Sequence, residues 1–123
     1  MEINELTRLI IGAAIEVHKQ LGPGLLESAY EECLAYELTK SGLPIERQKP
    51  VPVIYKEIKL DYGYRIDILV NDVVVLELKS IDAFAPVHEA QILTYMKFAR
   101  KSIGLLINFN VTVLKNGLKR YVL

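Results

Sequence analysis

The chain has 123 residues, of which 51% are hydrophobic and 24% charged, and its 15 basic and 15 acidic residues give a formal net charge of zero. This length suits one domain over residues 1–123, and the hydrophobic fraction argues against disorder. Zero net charge disfavours a passive nucleic-acid coat protein, although an enzyme can hold nucleic acid in a local basic groove. The single cysteine, Cys33, excludes an internal disulfide.

Membrane and export signals are absent from the pattern. No apolar run approaches the ~20 residues needed to span a bilayer. The first twenty residues are amphipathic and carry acids early, which is not typical of a signal peptide. The simplest expectation is a cytoplasmic protein that does not contact membrane.

Two helices are predicted first. Apolar residues recur at helical spacing from Leu6 to Leu21, and the following Gly-Pro-Gly at 22–24 breaks the chain. A second helix is expected from about residue 25 to residue 40, where Ser41 and Gly42 provide a stop signal.

Strands follow, interrupted by prolines. Pro44, Pro50 and Pro52 limit the segment 45–56 to short or edge strands. Further strands are expected at 59–61, 64–70 and 73–80, a third helix from Pro86 to about residue 100, and strands at 103–108 and 118–123. The order α-α-β-β-β-α-β predicts an α/β or α+β domain with a mixed sheet flanked by helices.

The residues with the most chemical potential are Asp67, Glu77 and Lys79 in YRIDILVNDVVVLELKS. Glu77 and Lys79 share one face of a strand, about 6–7 Å apart, in otherwise apolar surroundings. Together with Asp67 they could bind Mg²⁺ or Mn²⁺, which prefer oxygen ligands, with Lys79 beside the ion. Alternatively, Asp67 is a structural acid paired with Arg65 or Lys79. The spacing alone is weak evidence.

The hairpin tests the metal-site hypothesis. A simple two-residue turn at Asn71 and Asp72 would pair Asp67 with Leu76 and leave Glu77 on the opposite face. The hypothesis therefore predicts a three-residue turn, or a bulge between Asp67 and Glu77, that shifts the register by one residue.

Three further residues could join this site. Glu27 lies in the first turn of the second helix, where it could add a carboxylate or only interact with the helix dipole. Gln91 and Tyr95 are one turn apart on the third helix. They could be an ordinary hydrogen-bonded pair, or Gln91 could contact Lys79, water or a phosphate while Tyr95 supports it.

Basic residues cluster after the third helix and near the C-terminus. They could form a nucleic-acid groove or be solvated surface charges. These residues are Lys97, Arg100, Lys101, Lys115, Lys119 and Arg120.

Several motifs in this order resemble a known family. Gly24, Glu27 and Tyr30 fit the signature of the GxxExxY proteins, which are assigned to the PD-(D/E)xK nuclease superfamily. The resemblance extends through YRIDILV, VVVLELKS, PVHEAQILTYMKF and GLLINFNV, and so covers nearly the whole chain. One departure is Ile66, which stands where the superfamily name has proline.

The resemblance implies a restriction-endonuclease-like α-β-β-β-α-β core with an extra N-terminal helix. It also implies metal-dependent phosphodiester hydrolysis. Glu27, Asp67, Glu77, Lys79 and Gln91 would be catalytic. The metal ligands would be Asp67, Glu77, Glu27 and the carbonyl of Leu78, with Tyr30 and Tyr95 in support.

The resulting expectation is a nuclease that uses Mg²⁺ or Mn²⁺ and acts on nucleic acid, DNA more than RNA. The alternatives are a catalytically inactive nuclease-fold module that binds nucleic acid, and an interaction protein in which the charged cluster is a salt-bridge network. A homodimer could form through an apolar edge such as residues 103–109.

Overall fold

The structure is a computed structural model that describes all 123 residues. Its helices are α1 (Ile3–Leu21), α2 (Glu27–Lys40) and α3 (Pro86–Ala99). Its strands are β1 (Ile45–Pro50), β2 (Val53–Tyr55), β3 (Ile58–Leu60), β4 (Arg65–Val70), β5 (Val74–Lys79), β6 (Ile103–Asn108) and β7 (Leu118–Val122). A short 3-10 turn at Leu114–Gly117 precedes β7.

Five strands form one mixed sheet in the order β1-β4-β5-β6-β7. Only the β5–β6 pair is parallel, because α3 carries the chain back across the sheet between them. The predicted mixed sheet with flanking helices and an extra N-terminal helix is confirmed.

One strand predicted for the main sheet lies outside it. The strand expected at 59–61 is β3, which pairs only with β2 in a separate two-stranded hairpin. Its place beside β4 is taken by β1, which lies at the sheet edge. An edge position explains how β1 tolerates Pro50 at its end, since an edge strand needs fewer N–H donors.

The proposed dimer edge was wrong. Residues 103–108 form β6, which lies between β5 and β7 and has both of its backbone edges paired. Strand β7 pairs with the second edge of β6, and all six β6 residues are buried. The exposed edges of the sheet are those of β1 and β7.

The two faces of the sheet are covered by different helices. Helices α1 and α2 bury residues such as Leu6, Ile10 and Leu34 against one face. Helix α3 buries Ile92 and Met96 against the other face.

Helix α3 lies very close to the sheet at Gly104. A Cβ on Gly104 would stand only 2.6 Å from Met96 Sδ. The absence of a Cβ on Gly104 therefore lets the Met96 side chain pack directly against the β6 backbone. None of the helices combines the length and hydropathy needed to cross a bilayer.

Candidate active site

The turn between β4 and β5 sets which side chains face each other. Asn71 and Asp72 both have positive φ, at 53° and 57°, and Val73 N–H donates to Val70 C=O over 3.0 Å, as in a tight primed turn. The ladder nevertheless pairs Val70 with Val74, so Val73 is an extra residue. The predicted one-residue shift is therefore present, and Asp67 lies across from Glu77 rather than from Leu76.

The two carboxylates lie where the β4–β5 ladder ends. Backbone pairing stops at Ile68 and Leu76. Beyond that point Asp67 N–H donates to Glu77 Oε1 over 3.3 Å, and Leu78 N–H donates to Asp67 Oδ2 over 2.8 Å. Each carboxylate thus accepts a backbone donor of the opposite strand, which holds the two side chains together.

Both carboxyl groups are held in surroundings that disfavour negative charge. Burial, and then the charge of Asp67, raise the pKa of Glu77 to about 8. Burial also raises the pKa of Asp67, and the hydrogen bond from Leu78 offsets part of that effect. Closely placed acids of this kind gain from a cation that neutralises them.

Lys79 and helix α3 complete this side of the site. Lys79 Nζ donates to Gln91 Oε1 over 3.3 Å, and Gln91 Nε2 donates to Tyr95 Oη over 3.2 Å. The chain Lys79–Gln91–Tyr95 therefore has the contacts that the functional interpretation of the sequence required. Burial and the neighbouring Glu77 raise the pKa of the Tyr95 phenol, so Tyr95 is a neutral support.

Asp67 is not part of an ion pair with either alternative partner. The ion pairs of the chain, within 4.0 Å, include neither Asp67 with Arg65 nor Asp67 with Lys79. Arg65 instead donates to the backbone carbonyl of Gln48 over 3.3 Å. The salt-bridge interpretation of Asp67 was therefore wrong for these two partners.

Glu27 reaches the same end of the sheet from α2. It is exposed in the first turn of that helix, and its Oε2 accepts from Ser80 N–H over 3.4 Å, one residue beyond Lys79. Ser80 Oγ also donates to Leu25 C=O over 2.6 Å. These two contacts attach the start of α2 to the end of β5 and bring the charge of Glu27 close enough to act on Glu77.

Tyr30 lies behind the site rather than in it. Its ring is fully buried and stacks on Phe109 with centroids 4.4 Å apart. Its hydroxyl donates to Gly22 C=O over 2.6 Å and accepts from Leu25 N–H over 3.2 Å. Tyr30 thereby fixes the Gly-Pro-Gly loop that precedes Glu27.

A polar group on the far side of Asp67 belongs to none of the predicted site residues. Glu31, one turn after Glu27, is buried and accepts from Gln48 Nε2 over 2.5 Å, and Arg47 lies 3.0 Å from its other oxygen. Gln48 Nε2 also donates to Asp67 Oδ1 over 3.4 Å. Glu31 stands four residues after Glu27, and that helical spacing is the signal that could have identified it.

Gln48 has an unusual backbone. Its φ of 50° lies in the left-handed region, and it is the one residue within β1 that does not pair with β4. Such a conformation is strained for a residue other than glycine, and strain of this kind concentrates at functional sites. The distortion sends the Gln48 amide to both Glu31 and Asp67.

Comparison with known proteins decides the family. A family model described as the PD-(D/E)XK nuclease superfamily matches residues 4–121. The chain belongs to the PD-(D/E)XK nuclease superfamily. No curated protein and no solved structure matches the chain. PD-(D/E)XK nucleases generally use divalent metal ions, and membership of the family agrees with a nucleic-acid substrate.

The donor set of this site fits a small divalent cation. No three acidic, histidine or cysteine side chains converge into a metal-binding group by themselves. Mg²⁺ requires fewer, since it commonly binds through one or two carboxylates and keeps several waters. Asp67 and Glu77 supply two carboxylates. The Leu78 carbonyl points toward β4, on the side to which its N–H donates, and can add a third oxygen.

Proposed function

We propose that this chain is a metal-dependent nuclease that hydrolyses phosphodiester bonds in nucleic acid, with DNA as the preferred substrate and Mg²⁺ or Mn²⁺ as the cofactor. The register of β4 and β5 carries this proposal, because it places Asp67 and Glu77 side by side with Lys79 one position along the same face. The family supplies the reaction class. The GxxExxY group is the subfamily that the motif around Glu27 favours.

The roles of the residues follow from their positions. Asp67, Glu77 and the Leu78 carbonyl would hold the cation, and Glu27 would contribute directly or through a water. When bound, the ion lowers the pKa of a coordinated water and neutralises charge on the phosphate. Lys79 would orient the attacking water and stabilise the negative charge that develops on the phosphoryl oxygens. Gln91 would hold the Lys79 ammonium in place, and Tyr95 would hold the Gln91 amide.

A nicking assay tests the proposal most directly. Supercoiled plasmid, linear duplex and single strands would be incubated with Mg²⁺, Mn²⁺ or EDTA. We expect cleavage by the wild type only with metal, and a loss of at least about 100-fold in Asp67→Asn, Glu77→Gln and Lys79→Met. Glu5→Gln, which removes an exposed carboxylate on α1, is the matched control and should cleave normally.

Calorimetric titration of the same proteins with Mn²⁺ separates the alternatives. Binding that disappears in Asp67→Asn and Glu77→Gln but persists in Lys79→Met would match the assigned roles. A wild type that is folded, binds no metal and cleaves nothing would overturn the proposal and favour an inactive nuclease-fold module. Light scattering at the assay concentration checks whether the protein is the homodimer that would extend its reach on the substrate.

A further inference from the structure

Three tyrosine rings form a continuous series that leads away from the candidate site. Tyr95 lies 6.4 Å from Tyr64, and Tyr64 lies 6.4 Å from Tyr62, measured between ring centroids. The exposed fraction rises along this series from 7% at Tyr95 to 38% at Tyr64 and 76% at Tyr62. The series therefore connects the interior of the site with open solvent.

The inner end of the series is attached to the site itself. The Tyr95 hydroxyl accepts from Gln91, which in turn accepts from Lys79. The Tyr64 backbone is held by the bond from Val51 N–H to its carbonyl over 2.8 Å. The rings pack at interplanar angles of 56° and 79°, and Tyr62 keeps 76% of its surface exposed.

The surrounding surface carries cations without carboxylate partners. Lys59 and Arg65 line a cleft of about 260 Å³ beside Tyr64. Lys97 and Arg100, at the end of α3, line a second cleft against Pro52. None of these four takes part in an ion pair, whereas Arg47, Lys49, Lys101 and Lys119 do.

Aromatic rings next to unpaired cations match the chemistry of an unpaired nucleic-acid strand. A ring offers a stacking surface to a base, and lysine and arginine contact the phosphates. Bases in a duplex already stack on their neighbours and present only their edges. Asp61 lines the same cleft as Lys59 and Arg65, and Glu57 lies in the same segment. Both acids reduce the local positive charge, so stacking has to contribute a large share of the affinity.

We propose that Tyr62 and Tyr64, with Lys59 and Arg65, form a platform that binds single-stranded nucleic acid and directs it to the candidate active site. This inference rests on the proposed nuclease function for its substrate class and narrows that class to unpaired strands. Tyr62 binds a base by stacking on its exposed face. Lys59 and Arg65 contact the flanking phosphates, and the strand continues past Tyr64 toward Lys79.

Fluorescence anisotropy in EDTA tests the platform without requiring cleavage. Labelled oligo(dT), oligo(rU) and a duplex would be titrated with wild type, Tyr62→Ala and Tyr62→Phe. Tyr62→Ala should weaken single-strand binding about tenfold, and Tyr62→Phe, which keeps the ring, should remain within about twofold of wild type. The Lys59→Ala/Arg65→Ala double variant should reduce the slope of log affinity against log salt concentration. The reduction should match the loss of about two phosphate contacts.

Tyr36→Ala is the matched control. Tyr36 is 63% exposed on α2, and Lys40 Nζ lies 6.0 Å from the centre of its ring. Helix α2 packs on the face of the sheet opposite to Tyr95, so Tyr36 is an exposed tyrosine beside a lysine that lies outside the platform. Its replacement should leave binding unchanged. Equal loss in Tyr36→Ala and Tyr62→Ala, no loss in Tyr62→Ala, or duplex binding as tight as single-strand binding would each overturn the platform.

Comparison of oligo(dT) with oligo(rU) shows whether the platform prefers single-stranded DNA or single-stranded RNA. A preference for either strand over the duplex supports the platform. The result is also independent of the nuclease assay. Strand binding that depends on Tyr62 in a protein that never cleaves would retain the platform and reject the proposed function. Metal-dependent cleavage in a protein whose strand binding does not depend on Tyr62 would retain the proposed function and reject the platform.

Discussion

The two ends of the β4–β5 pair are held together by different hydrogen bonds. At the turn, Val70 and Val74 pair through the backbone and are completely buried. At the other end the ladder stops, and the carboxylates of Asp67 and Glu77 accept the N–H groups of Leu78 and Asp67. Replacing carbonyl acceptors with carboxylates keeps the backbone donors satisfied while leaving further oxygen lone pairs for a cation.

The apolar residues of the pair raise the free energy of unfolding, whereas the acidic residues lower it. The apolar end contributes stability through packing. The acidic end contains two carboxyl groups with raised pKa values, which is a stability cost in the absence of a cation. Substitutions at the two ends should therefore have opposite signs.

The largest effect is expected at the apolar end. Ile68 is fully buried in the core cluster, so Ile68→Ala should lower the free energy of unfolding by about 2–5 kcal/mol, through lost transfer energy and a cavity. Urea unfolding measures this change. Ile58→Ala, at a residue 57% exposed, is the control and should cost far less. Similar losses in both variants would contradict the contrast between the two ends.

The acidic end should respond in the opposite direction. Because the pKa of Glu77 is raised in the folded state to about 8, ionising it destabilises the fold progressively as pH rises from about 4.5 to 8. In EDTA at pH 8, Glu77→Gln should be more stable than wild type by up to about 4 kcal/mol, a gain that disappears near pH 4.5. Urea midpoints at the two pH values test this, with Glu5→Gln as control. A gain independent of pH would exclude this origin.

Gln48 links the acidic end to the neighbouring edge strand. Gln48→Gly relieves the positive φ but removes the amide contacts with Asp67 Oδ1 and with buried Glu31 Oε1. The two effects on stability oppose each other, while Mn²⁺ affinity should fall about tenfold. Calorimetry measures both quantities. Lys56→Gly, another positive-φ residue in the β2–β3 hairpin, should not alter the affinity. Unchanged affinity in Gln48→Gly would show that the amide does not orient Asp67.

The smallest effect is expected at the turn. Asp72 has a φ of 57°, so Asp72→Gly should stabilise the protein by about 0.5–1 kcal/mol by removing that strain. Its exposed ion pair with Lys101 contributes little. Asp72→Ala loses the same ion pair but keeps the Cβ, and thermal melting should show no gain for it. Equal gains in both variants would mean that backbone strain is not the cause.

Some of this arrangement was accessible from the sequence. Helical spacing and proline positions predicted the helices and the interrupted strands, and the requirement that Asp67 face Glu77 predicted the extra residue at the turn. Chain order could not show that β7 covers β6, because strand order in a sheet is a tertiary property. Nor could it predict the left-handed backbone of Gln48, since glutamine has no preference for that region.

Helix α3 as the crossover between β5 and β6 also has a consequence for synthesis. A strand in the middle of a sheet is held only when both neighbours are present, and β6 lies about thirty residues after Glu77 in the chain. A nascent chain that has exposed β5 but not α3 and β6 therefore lacks an ordered Lys79–Gln91 pair. On this basis the candidate site would become ordered only after residues 86–108 have left the ribosome.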